Sequence, residues 1–201
     1  MLDRFPFSYR VGLLLALTMA GALADLWRNG SNATRHKEYG FIWFTGIVGA
    51  IIGTVNDLIT SSLSPEFFTL GKGLAGGDGL RAHAARFGLE HGLSAGVIAG
   101  AICLYAARRK SAAPPLPYAR VLALLWMPVA GAMAGAILVP VAAGSYDPAG
   151  LAVRLDGELT SAQMSAFLQV WWIHTGLYAG LLAGLVGQLF LVTRRRAAFS
   201  K

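Results

Sequence analysis

Long apolar runs alternate with short polar segments along this chain of 201 residues. A membrane-spanning helix needs about 17–25 mostly apolar residues, and five runs reach that length: near 10–27, 40–62, 86–107, 120–143 and 166–193. Backbone polar groups in hydrocarbon must be satisfied within the chain, which runs rich in Ala, Leu and Gly achieve as helices. The pattern therefore predicts an all-α integral membrane protein with about five transmembrane helices, forming a single membrane domain over 1–201.

Composition agrees with this assignment. Hydrophobic residues make up 55% of the chain and charged residues only 13%, whereas about 25% of the residues of a soluble domain are charged. Most charges lie between the runs, so no stretch is left for a soluble catalytic domain. The lipid bilayer is the expected surrounding of the helices. Cys103 is the only cysteine, which excludes a disulfide framework.

The basic residues are divided unevenly between the two sides that five spans define. Of the 17 Lys and Arg residues, 6 fall on the side of the N-terminus and 11 on the other side. The positive-inside rule places the richer side in the cytoplasm. We therefore expect a multi-pass protein of the bacterial inner (cell) membrane, with the N-terminus outside and the C-terminus cytoplasmic. Its basic clusters then act as topology anchors or as contacts with anionic lipids, and we expect no nucleic-acid partner.

Glycine-rich blocks in the second half of the chain match blocks in the first half at offsets of 82 and 84 residues; the matched blocks are 48–53 with 130–135 and 92–100 with 176–184. This self-similarity predicts a duplicated helix hairpin. Repeat unit one covers 40–110 and repeat unit two covers 120–196, with the first helix (10–27) outside the duplication. Both hairpins would run in the same direction, related by a pseudo-two-fold axis along the membrane normal.

All four repeat helices carry glycines four residues apart. Such glycines share one helix face and let two backbones approach closely. They are Gly49, Gly53, Gly92, Gly96, Gly100, Gly131, Gly135, Gly176, Gly180 and Gly184. Packing within the chain is the first interpretation, and contacts within a homo-oligomer are the alternative.

Ionisable side chains inside a span are costly and therefore mark candidate sites. The four candidates for ion or metal binding are Asp57, Glu90, His91 and His174, supported by Asn56, Thr60, Glu66 and Tyr178. At about 1.5 Å per residue, the four candidates fall roughly 25–30 Å from the cytoplasmic ends of their helices. We expect them in one layer, with at least three within about 8 Å of a common point, since clustering offsets the cost of isolated charges.

These side chains suit more than one chemistry. Carboxylates and imidazoles bind borderline divalent metal ions, and they also form proton relays. No known metal motif is present, because Glu90 and His91 are adjacent and diverge by about 100° around a helix. The cofactor therefore stays open, with a divalent metal ion as one option and purely structural hydrogen bonding as another.

The segment after the second apolar run contains Ser64-Pro65-Glu66-Phe67-Phe68. Proline at a first helical position predicts a short helix here, either a lid that holds Glu66 over the polar layer or an interfacial helix with both phenylalanines at the membrane surface. Together with Asn56-Asp57-Leu-Ile-Thr60, the string resembles a motif of uncharacterised bacterial multi-pass proteins, N/H-D-x-I-T followed by S-P-E-Y/F-F. The resemblance implies no activity and suggests only that Asp57 and Glu66 belong to one element.

Three functions fit these observations. The first is a small-ion transporter or channel, cation- or proton-coupled, in which Asp57 and Glu66 draw a cation to an outer vestibule. The second is a non-catalytic accessory or assembly subunit of a larger membrane complex, favoured by small size and dense glycine faces. The third is an intramembrane metalloenzyme using His91 and His174, which lacks a recognisable nucleophile. Enzymatic activity is thus left open, with the two non-enzymatic functions ahead.

Overall fold

A computed structural model describes residues 6–109, 115–147 and 150–198. Helices dominate these residues, and no strand occurs among them. The α-helices are α1 (Phe7–Asn29), α2 (Arg35–Leu63), α3 (Leu80–Arg108), α4 (Tyr118–Leu122), α5 (Trp126–Ala143), α6 (Leu151–Arg154) and α7 (Ser161–Ala198), with a 3₁₀ turn at Gly30–Asn32 and a π turn at Phe67–Gly71.

Five of the helical segments are long and apolar enough to cross a membrane: α1 with its 3₁₀ turn, α2, α3, α4 together with α5, and α7. The prediction of an all-α membrane protein with about five spans is therefore confirmed. The helices extend beyond the apolar runs. α7 alone has 38 residues, about 57 Å of helix, so it tilts in a hydrocarbon layer about 30 Å thick or projects from it.

The hairpin of α2 and α3 is held together by direct backbone contact. Gly49 and Gly53 of α2 face Gly92 and Gly88 of α3, and a methyl group on any of the four would overlap a carbonyl oxygen of the opposite helix. One turn further along, Gly96 meets the carbonyl oxygen of Thr45. Only glycine permits this approach, so the glycine face of α2 packs against α3 of the same chain.

The hairpin of α5 and α7 packs in the same manner. Gly131 and Gly135 of α5 face Gly180 and Gly176 of α7, again with each glycine against a carbonyl oxygen of its partner. Gly184 meets the carbonyl oxygen of Met127 at the next turn. The chain thus contains two glycine-packed hairpins.

The alignment of the two hairpins by their helix contacts differs from the alignment by sequence. Gly49 and Gly131 are 82 residues apart and occupy equivalent positions in the two hairpins. Their partners on the second helices, Gly92 and Gly180, are 88 residues apart. The sequence match paired these second helices at an offset of 84, one helical turn away. The contact patterns are alike, and the duplication itself stays a prediction.

The two hairpins meet mainly through α3 and α7, whereas α2 and α5 hardly touch. A hydrophobic cluster lies at each end of this contact. The Phe67 cluster comprises Phe67, Phe68, Leu80, Ala84, Phe167 and Val170. The Leu104 cluster comprises Phe41, Cys103, Leu104, Ala107, Leu116, Val121, Leu124, Leu185 and Val192.

The fourth span is interrupted between α4 and α5. Pro128 has no N–H, so the carbonyl of Leu124 cannot receive the usual bond from four residues ahead. The N–H of Met127 reaches that carbonyl instead, at 3.1 Å, in the tighter 3₁₀ pattern. The resulting break places the carbonyl of Val121 within reach of a side chain of α7.

Candidate functional site

Two of the four predicted site residues meet between the hairpins. Asp57 lies on the glycine face of α2, one turn beyond Gly53, and His174 lies on α7. The Nε2 atom of His174 is 3.5 Å from Oδ1 of Asp57, and the two residues are only 8% and 4% exposed. An acid and an imidazole are thus paired inside two apolar spans.

Asn56 and Thr60 complete the surroundings of the His174 ring nitrogen. The Asn56 amide donates to Oδ1 of Asp57 at 3.0 Å and lies 3.4 Å from His174 Nε2. The Thr60 hydroxyl lies 3.3 Å from the same nitrogen. The Thr60 hydroxyl donates its one hydrogen to the carbonyl of Asn56 at 2.8 Å. An unprotonated Nε2 therefore accepts from the Asn56 amide, whereas a protonated Nε2 donates to Asp57 or Thr60. The bonding pattern therefore changes with one proton.

Phe67 and Phe68 cover His174. Their ring centroids lie 4.9 and 5.9 Å from the imidazole centroid, and Phe167 adds a third ring 5.4 Å from that of Phe67. Phe67 is 2% exposed and Phe68 is 0% exposed, so both rings lie in the protein core rather than at a membrane surface. We call residues 64–71, which carry both rings, the lid; unlike the lid expected from the sequence, it does not hold Glu66 over the Asp57–His174 pair.

Glu66 belongs to the lid but lies outside the Asp57 cluster. Its carboxylate accepts a hydrogen bond from the Ser64 hydroxyl at 3.1 Å and another from the Gln163 amide at 2.8 Å. Gln163 lies one turn before Phe167 on α7. Glu66 therefore fastens the lid to the beginning of α7 rather than contacting Asp57 or His174.

A lysine that the sequence analysis did not select lies beside the lid. The Lys72 ammonium is 5.2 Å from the ring centroid of Phe67 and 5.6 Å from that of Phe87, distances typical of cation–π contacts. Its charge also acts on Asp57 and His174. Lys72 follows the S-P-E-F-F string by only four residues, and that proximity was the signal that could have identified it.

Glu90 and His91 are directed elsewhere. Glu90 accepts from the Arg86 guanidinium at 2.9 Å, and His91 lies 2.9 Å from the carbonyl of Phe87 and stacks on that ring. The face of α3 that meets α2 is its glycine stripe, so these neighbouring side chains flank the contact. Among the described residues, no group of three or more His, Cys, Asp or Glu side chains could hold a metal ion.

A cavity of about 80 Å³ lies between the hairpins and reaches the Asp57–His174 pair. Glycine, alanine and aliphatic side chains line its middle. The polar lining residues are Asn56, Asp57, His174 and Tyr178 at one end and Thr45, Cys103 and Gln188 at the other. From His174 to Gln188 the helix rises about 21 Å. Such a volume has room for a few water molecules or one small ion, since a water needs about 10–15 Å³.

Comparison with known protein families, curated proteins and solved structures gives no match to this chain. The chemistry of the site follows from its own residues. A buried carboxylate beside an imidazole can share a proton with it, balance a bound cation or link two helices by hydrogen bonds, and ionisable residues within spans often mark ion and proton pathways.

Proposed function

We propose that this chain is a small-ion transporter or channel, cation- or proton-coupled, whose binding site is the Asp57–His174 pair. One observation carries the proposal: the pair, 3.5 Å apart, is buried in two apolar spans at the end of a cavity between two hairpins. An acidic side chain in a span costs up to about 2.5–3.5 kcal/mol on insertion scales, the value that applies at the helix centre. A purely structural link between α2 and α7 could be made from neutral amides and hydroxyls without that cost.

The bound species would change the hydrogen bonds of His174. Before a proton or cation arrives, the Asn56 amide donates to the unprotonated ring nitrogen while Lys72 balances the charge of Asp57. A proton or cation that reaches the pair neutralises Asp57 in place of Lys72, and His174 Nε2 then changes its hydrogen-bond partners. The lid over His174 limits access from one side, and release of the contact between Glu66 and Gln163 would open it.

Flux through liposomes that contain the purified protein tests this function. A pH-sensitive dye inside the vesicles reports proton movement while gradients of Na⁺, K⁺ or Mg²⁺ are imposed. Asp57→Asn keeps the side-chain volume but removes the charge, so we expect flux to fall by about tenfold or more, the equivalent of ~1.4 kcal/mol. His174→Gln should act likewise.

Glu90→Gln is the matched control, because it removes a carboxylate that pairs with Arg86 outside the cluster. Its flux should equal that of the wild type. Flux that persists unchanged in Asp57→Asn contradicts the proposed site, and equal loss in Asp57→Asn and Glu90→Gln contradicts the selective role of the pair.

The orientation in the membrane is part of the proposal. The 11-to-6 distribution of Lys and Arg supports a bacterial inner-membrane protein with a cytoplasmic C-terminus, which places the Asp57–His174 pair toward the outer face. A reporter enzyme that works only in the cytoplasm should be active when it is fused to the C-terminus. Activity of a periplasm-specific reporter there would reverse the orientation.

The proposed duplication makes the site asymmetric. At the offset of 82 that relates the first helices of the two hairpins, Asp57 corresponds to Val139. Only one hairpin therefore supplies the acid, and the other supplies His174. A single binding site per chain is the expected stoichiometry.

An accessory or assembly subunit is the second candidate, and α1 is the observation that favours it. This helix has no buried residue and packs mainly against α2, where the Trp43 indole donates to the Thr18 hydroxyl at 3.1 Å. Large apolar side chains along it face lipid, another protein or a second copy of the chain. A stoichiometric protein that co-purifies in mild detergent would favour this function over transport. The third candidate, a metalloenzyme that uses His91 and His174, stays a prediction without a supporting contact between these two residues.

A further inference from the structure

A second polar contact lies at the opposite end of the cavity from Asp57. The Cys103 thiol of α3 donates to Oε1 of Gln188 at 3.0 Å, and Nε2 of Gln188 donates to the carbonyl of Val121 at 3.4 Å. Gln188 is 0% exposed. A single amide of α7 thus links α3 with the end of α4.

Members of the Leu104 cluster lie around this link, among them Cys103, Val121 and Leu185. Beyond the cluster, Arg196 of α7 donates to the carbonyl oxygens of Ala106 and Arg109 at 2.7 and 2.8 Å. Carbonyls in the last turn of a helix have no partner within the helix. Arg196 satisfies two of those at the end of α3 and holds the ends of α3 and α7 together.

We infer that the Gln188 link and the Leu104 cluster form the inner gate of the ion pathway, an inference that rests on the proposed transport function. Three features support it. The link borders the cavity at the end opposite Asp57, the link consists of neutral hydrogen bonds that break and re-form at modest cost, and the interrupted helix between α4 and α5 provides a hinge beside it. Opening would move α4 away from Gln188.

The open gate would be lined by polar groups. Thr45, Cys103 and Gln188 all border the cavity near this end, so an ion that leaves the apolar middle would meet a hydroxyl, a thiol and an amide. In the closed gate these groups are occupied by one another and by backbone carbonyls, as in the bond from the Thr45 hydroxyl to the carbonyl of Ile42 at 2.8 Å.

Cys103 reports directly on this gate, because it is the only cysteine of the chain and is 1% exposed. A membrane-impermeant maleimide is applied to one face of membrane vesicles at a time, and the rate of labelling is measured by mass spectrometry. The wild type should label slowly from both faces. Gln188→Ala removes both hydrogen bonds, so we expect labelling from the cytoplasmic face to become about tenfold faster.

Gln169→Ala is the matched control, since it removes an exposed glutamine from the same helix. It should label as slowly as the wild type. If Gln188→Ala does not fold, Gln188→Asn keeps the amide but shortens it, so that it cannot reach both partners; faster cytoplasmic labelling is again expected. Unchanged labelling in a folded variant, or acceleration from the outer face alone, overturns the inner gate.

Flux measured in the same vesicles separates this inference from the proposed function. If flux depends on Asp57 but the rate of Cys103 labelling is unchanged in Gln188→Ala, the gate is contradicted and the proposed function is not. Vesicles without any flux contradict the proposed function, and with it the gate as part of an ion pathway, whatever the labelling rate.

Discussion

The glycine contact between α2 and α3 leads to a quantitative prediction for Gly92→Ala. The added methyl carbon would overlap the carbonyl oxygen of Gly49 and lie 2.8 Å from its carbonyl carbon and 3.1 Å from Cα of Ala50, whereas ordinary contacts of this type are 3.4–4 Å. All three atoms belong to the backbone. No side-chain rotation relieves the overlap, so the two helices must move apart by roughly half an ångström or more.

The expected loss of stability follows from two opposing effects. Inserting a methylene into a packed interface costs about 1–3 kcal/mol, and replacing glycine by alanine in a helix returns up to about 1 kcal/mol. We therefore expect Gly92→Ala to lower the free energy of unfolding by about 1–2 kcal/mol. Reversible unfolding in bicelles, or the midpoint of thermal unfolding in detergent, measures the change.

Gly40→Ala is the control, since an added methyl group at this position of α2 meets no atom within 4 Å. That variant should be as stable as the wild type or slightly more stable. Equal stability of Gly92→Ala and Gly40→Ala would refute the inference that backbone contact along this face holds the hairpin together.

Further predictions concern the site and its lid. Asp57→Leu should lower the free energy of unfolding by about 1–3 kcal/mol more than Asp57→Asn does, because leucine takes the Asp57 acceptor away from the buried Asn56 amide. Phe67→Ala should cost about 3–5 kcal/mol through the space left beside His174, and hydrogen exchange in the lid should accelerate; unchanged exchange would contradict the lid. Gln163→Leu removes a hydrogen bond to Glu66, worth about 1 kcal/mol, and should raise the rate of flux if release of the lid limits it.

Much of this architecture could be predicted from the sequence because hydrophobicity sums over a whole span. The five apolar runs correspond to five spans. The spacing of Gly49, Gly53 and Asp57 placed the acid on the packed face of α2. Depth along a helix was also accessible, since a constant rise per residue converts position into height. That reasoning placed Asp57 and His174 at one level, and the structure brings them together.

Rotation about each helix axis and the register between helices were harder to predict. Glu90 and His91 lie at a suitable height, but the glycine stripe of α3 determines which face meets α2, and the two side chains bond to Arg86 and Phe87 instead. The register of α5 against α7 differs by one turn from the sequence match, because glycines repeat every four residues and several alignments score alike. Lys72 lies in a loop, where no periodicity indicates a partner.

The protonation state of His174 in lipid decides whether the Asp57–His174 pair binds a proton or a cation. The chain has four histidines, so the ¹⁵N signals of the His174 ring can be assigned in solid-state NMR spectra by their loss in His174→Gln. If the pair is the binding site, these signals shift in a saturable manner as pH or cation concentration is varied, and Asp57→Asn abolishes the cation response or displaces the titration. Signals that ignore every cation and every pH at which the protein stays folded would contradict a binding site at this pair.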